Sequence, residues 1–171
     1  MELLDIYDRN RVPTGKTLPR GSTLGNNEYH LVVHVCIFNS QNEMLIQLRQ
    51  PWKKSWPDLW DLSVGGCVLA GETSKDAAHR ETLEELGLDI DFSEERPYFT
   101  INFANGFDDY YLIERDLPLE ALTIQTEEVK AVKWASKEEV LQLAQEGKFI
   151  NYWFLEHLFE IRKHWGAYII A

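Results

Sequence analysis

Cysteine is scarce in this sequence, basic residues are outnumbered, and no apolar run is long enough to cross a bilayer. Only Cys36 and Cys67 occur, which suits a reducing setting rather than a disulfide-built one. The opening Met1-Glu2-Leu3-Leu4-Asp5 has neither a basic lead nor an apolar run, so no secretory segment is expected. The longest apolar stretches fall far short of the roughly 20 residues that a membrane span requires. Lys and Arg total 17 against 28 Asp and Glu, a net charge of −11. General nucleic-acid binding relies on basic surface and is therefore not expected. Internal repeats, low-complexity segments and convincing linkers are also missing. The expected setting is cytoplasmic, with no nucleic-acid and no membrane partner. A small anionic substrate, held by a few local cations and a metal, stays compatible with the acidic total.

What is present describes an ordered globular protein. The chain has 171 residues, 44% of them hydrophobic, with six tryptophans, enough for one compact mixed α/β domain with a substantial core. Leu4 to Lys16 suggests two short strands around a polar turn, and Arg20 to Asn27 a loop. Tyr29 to Phe38 and Glu43 to Arg49 read as strands, followed by a tryptophan-bearing connection over Gln50 to Asp61. Leu62 to Val64 is a short strand feeding a glycine loop. Arg96 to Phe103, Asp109 to Arg115 and Val129 to Trp134 are further strands. Ser136, with Glu139 completing a capping box, opens a helix running to about Glu146, and Phe149 to His164 reads as a second amphipathic helix.

The chain is organised around Gly66-Cys67-Val68-Leu69-Ala70-Gly71-Glu72 and the segment from Thr73 to Leu88. A glycine-rich loop runs into a helix with acids crowded near its end. Thr73 or Ser74 can cap the first turn with Asp76 completing a capping box, and Gly87 suits a left-handed helix end. Glu81, Glu84 and Glu85 fall in one sector, while Ala78, Thr82 and Leu86 form a mostly apolar stripe. Three carboxylates on one face repel, and Arg80 offsets part of this. A hard cation would convert the repulsion into ligation, since Mg²⁺ prefers carboxylate oxygens together with substrate phosphates. The plain alternative is a solvated acidic face.

The spacing G-x5-E-x7-R-E-U-x-E-E-x-G-U, with U apolar, resembles the signature of the Nudix hydrolase family. Gly66, Glu72, Arg80, Glu81, Glu84, Glu85, Gly87 and Leu88 occupy its fixed positions, and Thr82 stands where an apolar residue is usual. The resemblance implies a Nudix-type α/β/α sandwich around a mixed β-sheet, as a single domain over 1–171. Within it, 1–28 holds N-terminal strands and a loop, 66–88 the Nudix box, and 136–171 C-terminal helices. It also implies Mg²⁺- or Mn²⁺-dependent hydrolysis of a diphosphate linked to another moiety, with a small-molecule substrate as partner. A homodimer is left open.

The flanks, Arg49…Trp52-Lys53-Lys54…Trp56-Pro57…Trp60 and Leu62-Ser63-Val64-Gly65-Gly66, look like the isopentenyl-diphosphate isomerase branch of the superfamily. That isomerase is the main rival reading. In its Ser-Val-Cys-Gly-His-Pro loop, Gly65 takes the place of the catalytic cysteine and Cys67 that of the metal-binding histidine. A thiol displaced by two residues around a tight loop does not face the same carbon, so hydrolysis is favoured. A non-catalytic nucleotide-sensing module is a further alternative, although such modules usually lose box acids. On the hydrolytic reading Glu81, Glu84 and Glu85 hold metal with help from the Gly65 or Gly66 carbonyl, and Arg80 orients an acid. Glu72 either binds metal through water or caps the loop. Glu127 is nominated first as the base outside the box, then Asp109 and Glu128. The resemblance places Arg49 and Lys53 on diphosphate, with Lys54 and Arg20 as weaker candidates. Among the tryptophans, Trp153 is singled out as a pocket wall, with core packing the alternative.

Overall fold

A computed structural model describes residues 1–164; residues 165–171 lie outside the described residues. The expected C-terminal helical region 136–171 is therefore compared only as far as His164. The described residues gather into two compact units, one built from 1–35 and 64–111, the other from 36–63 and the described residues from 112 on.

In the first unit, Leu3–Tyr7 (β1) and Pro13–Pro19 (β2) form an antiparallel ribbon whose register shifts between Asp5 and Tyr7. Its turn is closed by the Asp8 carboxylate, which accepts the Asn10 and Val12 N–H groups at 2.8 and 2.9 Å, an aspartate-turn arrangement. Strand β2 spans seven residues, Pro13 and Gly15 among them. It is largely exposed on an outer ribbon, where Pro is tolerated.

The strand His30–Phe38 (β3) starts in this unit, and Val64–Cys67 (β6) pairs antiparallel with its Val32 to Val35. Phe99–Phe103 (β7) and Gly106–Glu114 (β8) form a hairpin. Strand β7 begins later than the expected Arg96, where Pro97 lacks the N–H a ladder needs.

The helix Ser74–Leu86 (α1) has the expected caps: Thr73 and Asp76 complete a capping box, and Gly87 ends it at φ 68°. The Thr82 hydroxyl donates to the Ala78 carbonyl at 2.7 Å, so its burial leaves no polar group unsatisfied. Asp109 is a hub of this unit. It is fully buried and accepts Thr100 Oγ1 and Ser74 Oγ at 2.6 Å each, and both Nη groups of Arg11. Asp109→Ala strands these donors and should cost about 2–4 kcal/mol, checked by urea unfolding. A loss below about 0.5 kcal/mol contradicts the hub.

In the second unit, Met44–Arg49 (β4) is flanked antiparallel by Trp60–Asp61 (β5) and Val129–Ala135 (β9). A 3-10 turn spans Leu119–Ala121. The helices are Lys137–Gln145 (α2) and Leu155–Ile161 (α3). Ser136 caps α2 by accepting the Glu139 N–H at 3.2 Å. The reciprocal half of the expected box is not made, because the Glu139 carboxylate pairs with Lys133. The helix expected from Phe149 to His164 is shorter, for a tertiary reason. Trp60 N–H donates to the Lys148 carbonyl and Ile150 N–H to the Trp60 carbonyl, both at 2.9 Å, which holds 148–150 extended. Phe38 and Phe159 meet edge to face at 5.3 Å in this unit's core. The strand order is β5-β4-β3-β8-β7, with β6 beside β3 and β9 beside β4.

Candidate active site

The box is built on β6, the loop 68–73 and α1. Leaving β6, the loop is pinned by Val68 N–H on the Leu31 carbonyl at 3.0 Å and Ala70 N–H on the Leu3 carbonyl at 2.8 Å. The Glu72 carboxylate accepts Leu69 N–H at 2.9 Å and Arg80 Nε and Nη2 at 2.7 and 3.0 Å. Of the two roles open to Glu72, the structure shows the loop-capping one.

Arg80 draws the site together. Its guanidinium also donates to Glu81 at 2.8 Å, Glu84 at 3.2 Å and the Cys67 carbonyl at 3.0 Å. Surrounded by acceptors, chiefly Glu72, it is held even more firmly protonated than an ordinary arginine.

The acids do not share one environment. Glu81 and Glu85 are buried on the inner side of α1, whereas the Glu84 side chain is half exposed. Burial pushes the Glu81 carboxyl above its usual range, opposed by Arg80. A raised acid binds its proton more tightly when folded, so its contribution to stability falls as pH rises past the ordinary glutamate range. Glu81→Gln should flatten that decline in a pH series of urea midpoints; an unchanged slope contradicts the assignment.

Gly65 and Gly66 are there for space. A Cβ on Gly66 would stand 2.0 Å from Glu81 Oε1, and one on Gly65 would stand 2.7 Å from the His34 ring. His34 Nδ1 lies 2.8 Å from the Asp108 carboxylate, and its ring stacks on Tyr110 at 5.0 Å. Cys67 is not activated: burial raises its thiol pKa, so the thiolate is disfavoured.

The carboxylates of the box are oxygen donors of the kind hard divalent cations prefer. Among the described residues, however, no three or more His, Cys, Asp or Glu side chains stand together in a metal-holding cluster. Of the expected metal-holding set Gly65, Glu81, Glu84 and Glu85, the carboxylates of Glu81 and Glu84 are both held by the Arg80 guanidinium. The donor chemistry fits a cation.

Of the nominated bases, Asp109 is consumed by the buried network already described. Arg20 pairs with Glu2 at 2.7 Å. The remaining candidates belong to the second unit. Arg49 donates to Asp61 at 3.0 Å and to the Ser55 carbonyl at 3.2 Å, and its buried Nε has no hydrogen-bond partner among the described residues. Lys53 pairs with Glu128. Glu127 is exposed, and its carbonyl accepts the Trp52 indole N–H at 3.1 Å. Trp153 is 75% exposed and meets Phe154 edge to face at 5.6 Å. Trp52 and Trp56 are also exposed, so tight core packing does not describe these three. Asp5, Arg11, His34 and Asp108 were not legible as site neighbours, because their contacts join residues far apart in sequence.

Comparison with known proteins agrees with the box. The NUDIX domain profile matches residues 28–158. An uncharacterized Nudix hydrolase of Listeria innocua is 51% identical over 162 residues, covering 95% of this chain and 96% of its own. An isopentenyl-diphosphate Delta-isomerase of Salmonella typhi is 30% identical over 150 residues, covering 82% of this chain and 78% of its own. Among solved structures, a protein from Deinococcus radiodurans is 25% identical with a TM-score of 0.76, covering 93% of this chain and 98% of that one. No described helix is long and apolar enough to cross a membrane. From the box in its strand-loop-helix setting and the profile match across both units, it follows that the chain belongs to the Nudix hydrolase family, shares its α/β fold, and is a diphosphate hydrolase.

Proposed function

We propose that the protein hydrolyses a diphosphate linked to a second moiety, nucleotide-type or similar, with Mg²⁺ or Mn²⁺ as cofactor. The observation that carries this reading is the complete acid set, with Glu81 and Glu85 both buried on one side of α1 and Arg80 fastened among the box carboxylates. Buried acids without an apolar reason to be buried are costly, and a charged substrate-metal complex gives them one.

Glu81, Glu84 and Glu85, with the Gly65 carbonyl, would hold the cation. When bound, it supplies charge neutralisation on diphosphate oxygens and a more acidic water. Arg80 orients Glu81 and Glu84 by charge-assisted hydrogen bonds, and Glu72 fixes Arg80. Glu127 is the proposed base outside the box. Arg49, Lys53 and Trp153 are the proposed substrate-binding residues; the unpartnered Arg49 Nε–H supports a role for Arg49 as a donor to phosphate. Both units are proposed to belong to one Nudix domain, since the profile match includes segments of each.

The isomerase reading draws on the Salmonella typhi relative. Gly65 at the cysteine position and the disfavoured thiolate of Cys67 speak against it. The test is a Mg²⁺/Mn²⁺ panel of nucleoside diphosphates and triphosphates, ADP-ribose, dinucleoside polyphosphates, coenzyme A and isoprenoid diphosphates, with isopentenyl diphosphate isomerisation assayed alongside. Metal-dependent hydrolysis of a panel member is expected. Isomerisation without hydrolysis overturns the proposal.

A further inference from the structure

The box loop is gripped by residues outside the family match. The NUDIX profile begins at residue 28, yet the N-terminal ribbon reaches the loop that carries Glu72 and, through Asp109, the start of α1. In the middle of the loop the Leu3 carbonyl accepts Ala70 N–H, and Asp5 Oδ2 accepts Gly71 N–H, both at 2.8 Å. Just past the loop, Arg11, in the turn between β1 and β2, binds the Asp109 carboxylate that also takes the hydroxyl of Ser74, the first residue of α1.

The details of the ribbon fit a grip rather than a chance contact. The register of β1 against β2 slips directly after Asp5, and such irregularities re-aim side chains. The residue it seizes, Gly71, sits at φ +84° with open space around it. A glycine in that conformation is loosely determined by its own backbone, so an external acceptor on its N–H decides where it stays. The next residue, Glu72, holds Arg80 through two hydrogen bonds, and Arg80 holds Glu81 and Glu84.

We infer that residues 3–11 form a two-point strap on the Nudix loop and the start of α1, and that Asp5 is a positioning residue acting through Gly71, Glu72 and Arg80 to aim Glu81. The inference deepens the proposed site and rests on the box acids being its working groups. Small displacements of such groups cost large factors in rate, so a strap earns its place in the reaction without touching substrate. Asp5→Ala frees the Gly71 N–H, whereas Asp5→Asn keeps an oxygen that can accept it.

The test compares wild type, Asp5→Ala and Asp5→Asn by Mn²⁺ titration followed by electron paramagnetic resonance, with no substrate present. Hydrogen exchange of the Gly71 amide and the Arg80 Nε–H is read in parallel by NMR. Asp5→Ala should weaken Mn²⁺ binding about ten-fold and speed both exchanges. It should lower kcat on the fastest panel compound with KM little changed, and Asp5→Asn should restore each readout. Wild-type exchange and Mn²⁺ affinity in Asp5→Ala overturn the inference, as does a loss that Asp5→Asn fails to rescue. If Asp5→Ala does not fold, Asp5→Ser, whose hydroxyl is too short to reach, is read the same way. A wild type that hydrolyses no diphosphate defeats the proposed function instead, and the exchange measurements still decide the strap.

Discussion

Glu85→Gln should leave the fold standing and lower metal-dependent turnover by about three orders of magnitude, the scale of several kcal/mol of lost transition-state stabilisation. Glu85 is 5% exposed on the inner side of α1, one turn from Glu81. The glutamine has nearly the same volume, so packing changes little. What disappears is one negative charge from the set expected to face a cation. Circular dichroism melts report the fold, and steady-state rates across a Mg²⁺ titration report the charge. A large drop in melting temperature points to a structural role for the carboxylate, and near-normal turnover sinks the assignment of Glu85 to metal.

The second large effect comes from adding a single methyl group. In Gly66→Ala the new Cβ would lie 2.0 Å from Glu81 Oε1 and 2.7 Å from its Cγ. Carbon and oxygen do not approach so closely, and the neighbour that must give is a side chain rather than backbone. Glu81 therefore swings away, breaking its 2.8 Å bond to Arg80. The fold should lose about 1–3 kcal/mol, the usual cost of overpacking. Turnover should fall about 10²-fold, as expected when a reacting group is displaced by an ångström. Paired urea unfolding and kcat measurements separate the two costs. Wild-type kcat in a folded Gly66→Ala protein would mean that Glu81 need not stand where it does.

Both predictions concern a helix whose ends were legible in the sequence. Capping is local chemistry, so Thr73, Asp76 and Gly87 declared the limits of α1 within a few residues. The back-bond of Thr82 to Ala78 was equally local. The burial of Glu81 and Glu85 was not, because their sector alone does not reveal which side of α1 meets the rest of the unit. Local reasoning separated an acidic face from an apolar stripe, whereas the folded helix buries members of both.

Most of the misses share a cause, contacts between segments distant in sequence; the Lys133–Glu139 pair, six residues apart, is the exception. The late start of α3 depends on Trp60 holding residues 148–150 extended. Glu139 has the spacing of a capping-box acid, yet Lys133 on β9 claims it. Asp109 has the sequence position of an acid available at a strand end, yet Arg11, Ser74 and Thr100 converge on it. Asp5 carries no motif at all, and only the geometry connects it to Gly71.

The most direct test of the central claim is hydrolysis followed by ³¹P NMR in half-labelled ¹⁸O water, using the panel compound turned over fastest with Mg²⁺. The acid set of α1 predicts a phosphate-bearing product that carries solvent oxygen, formed only while the metal is present and lost on chelation. A panel left uncleaved, with isopentenyl diphosphate isomerised and no solvent oxygen in any phosphate, would contradict it.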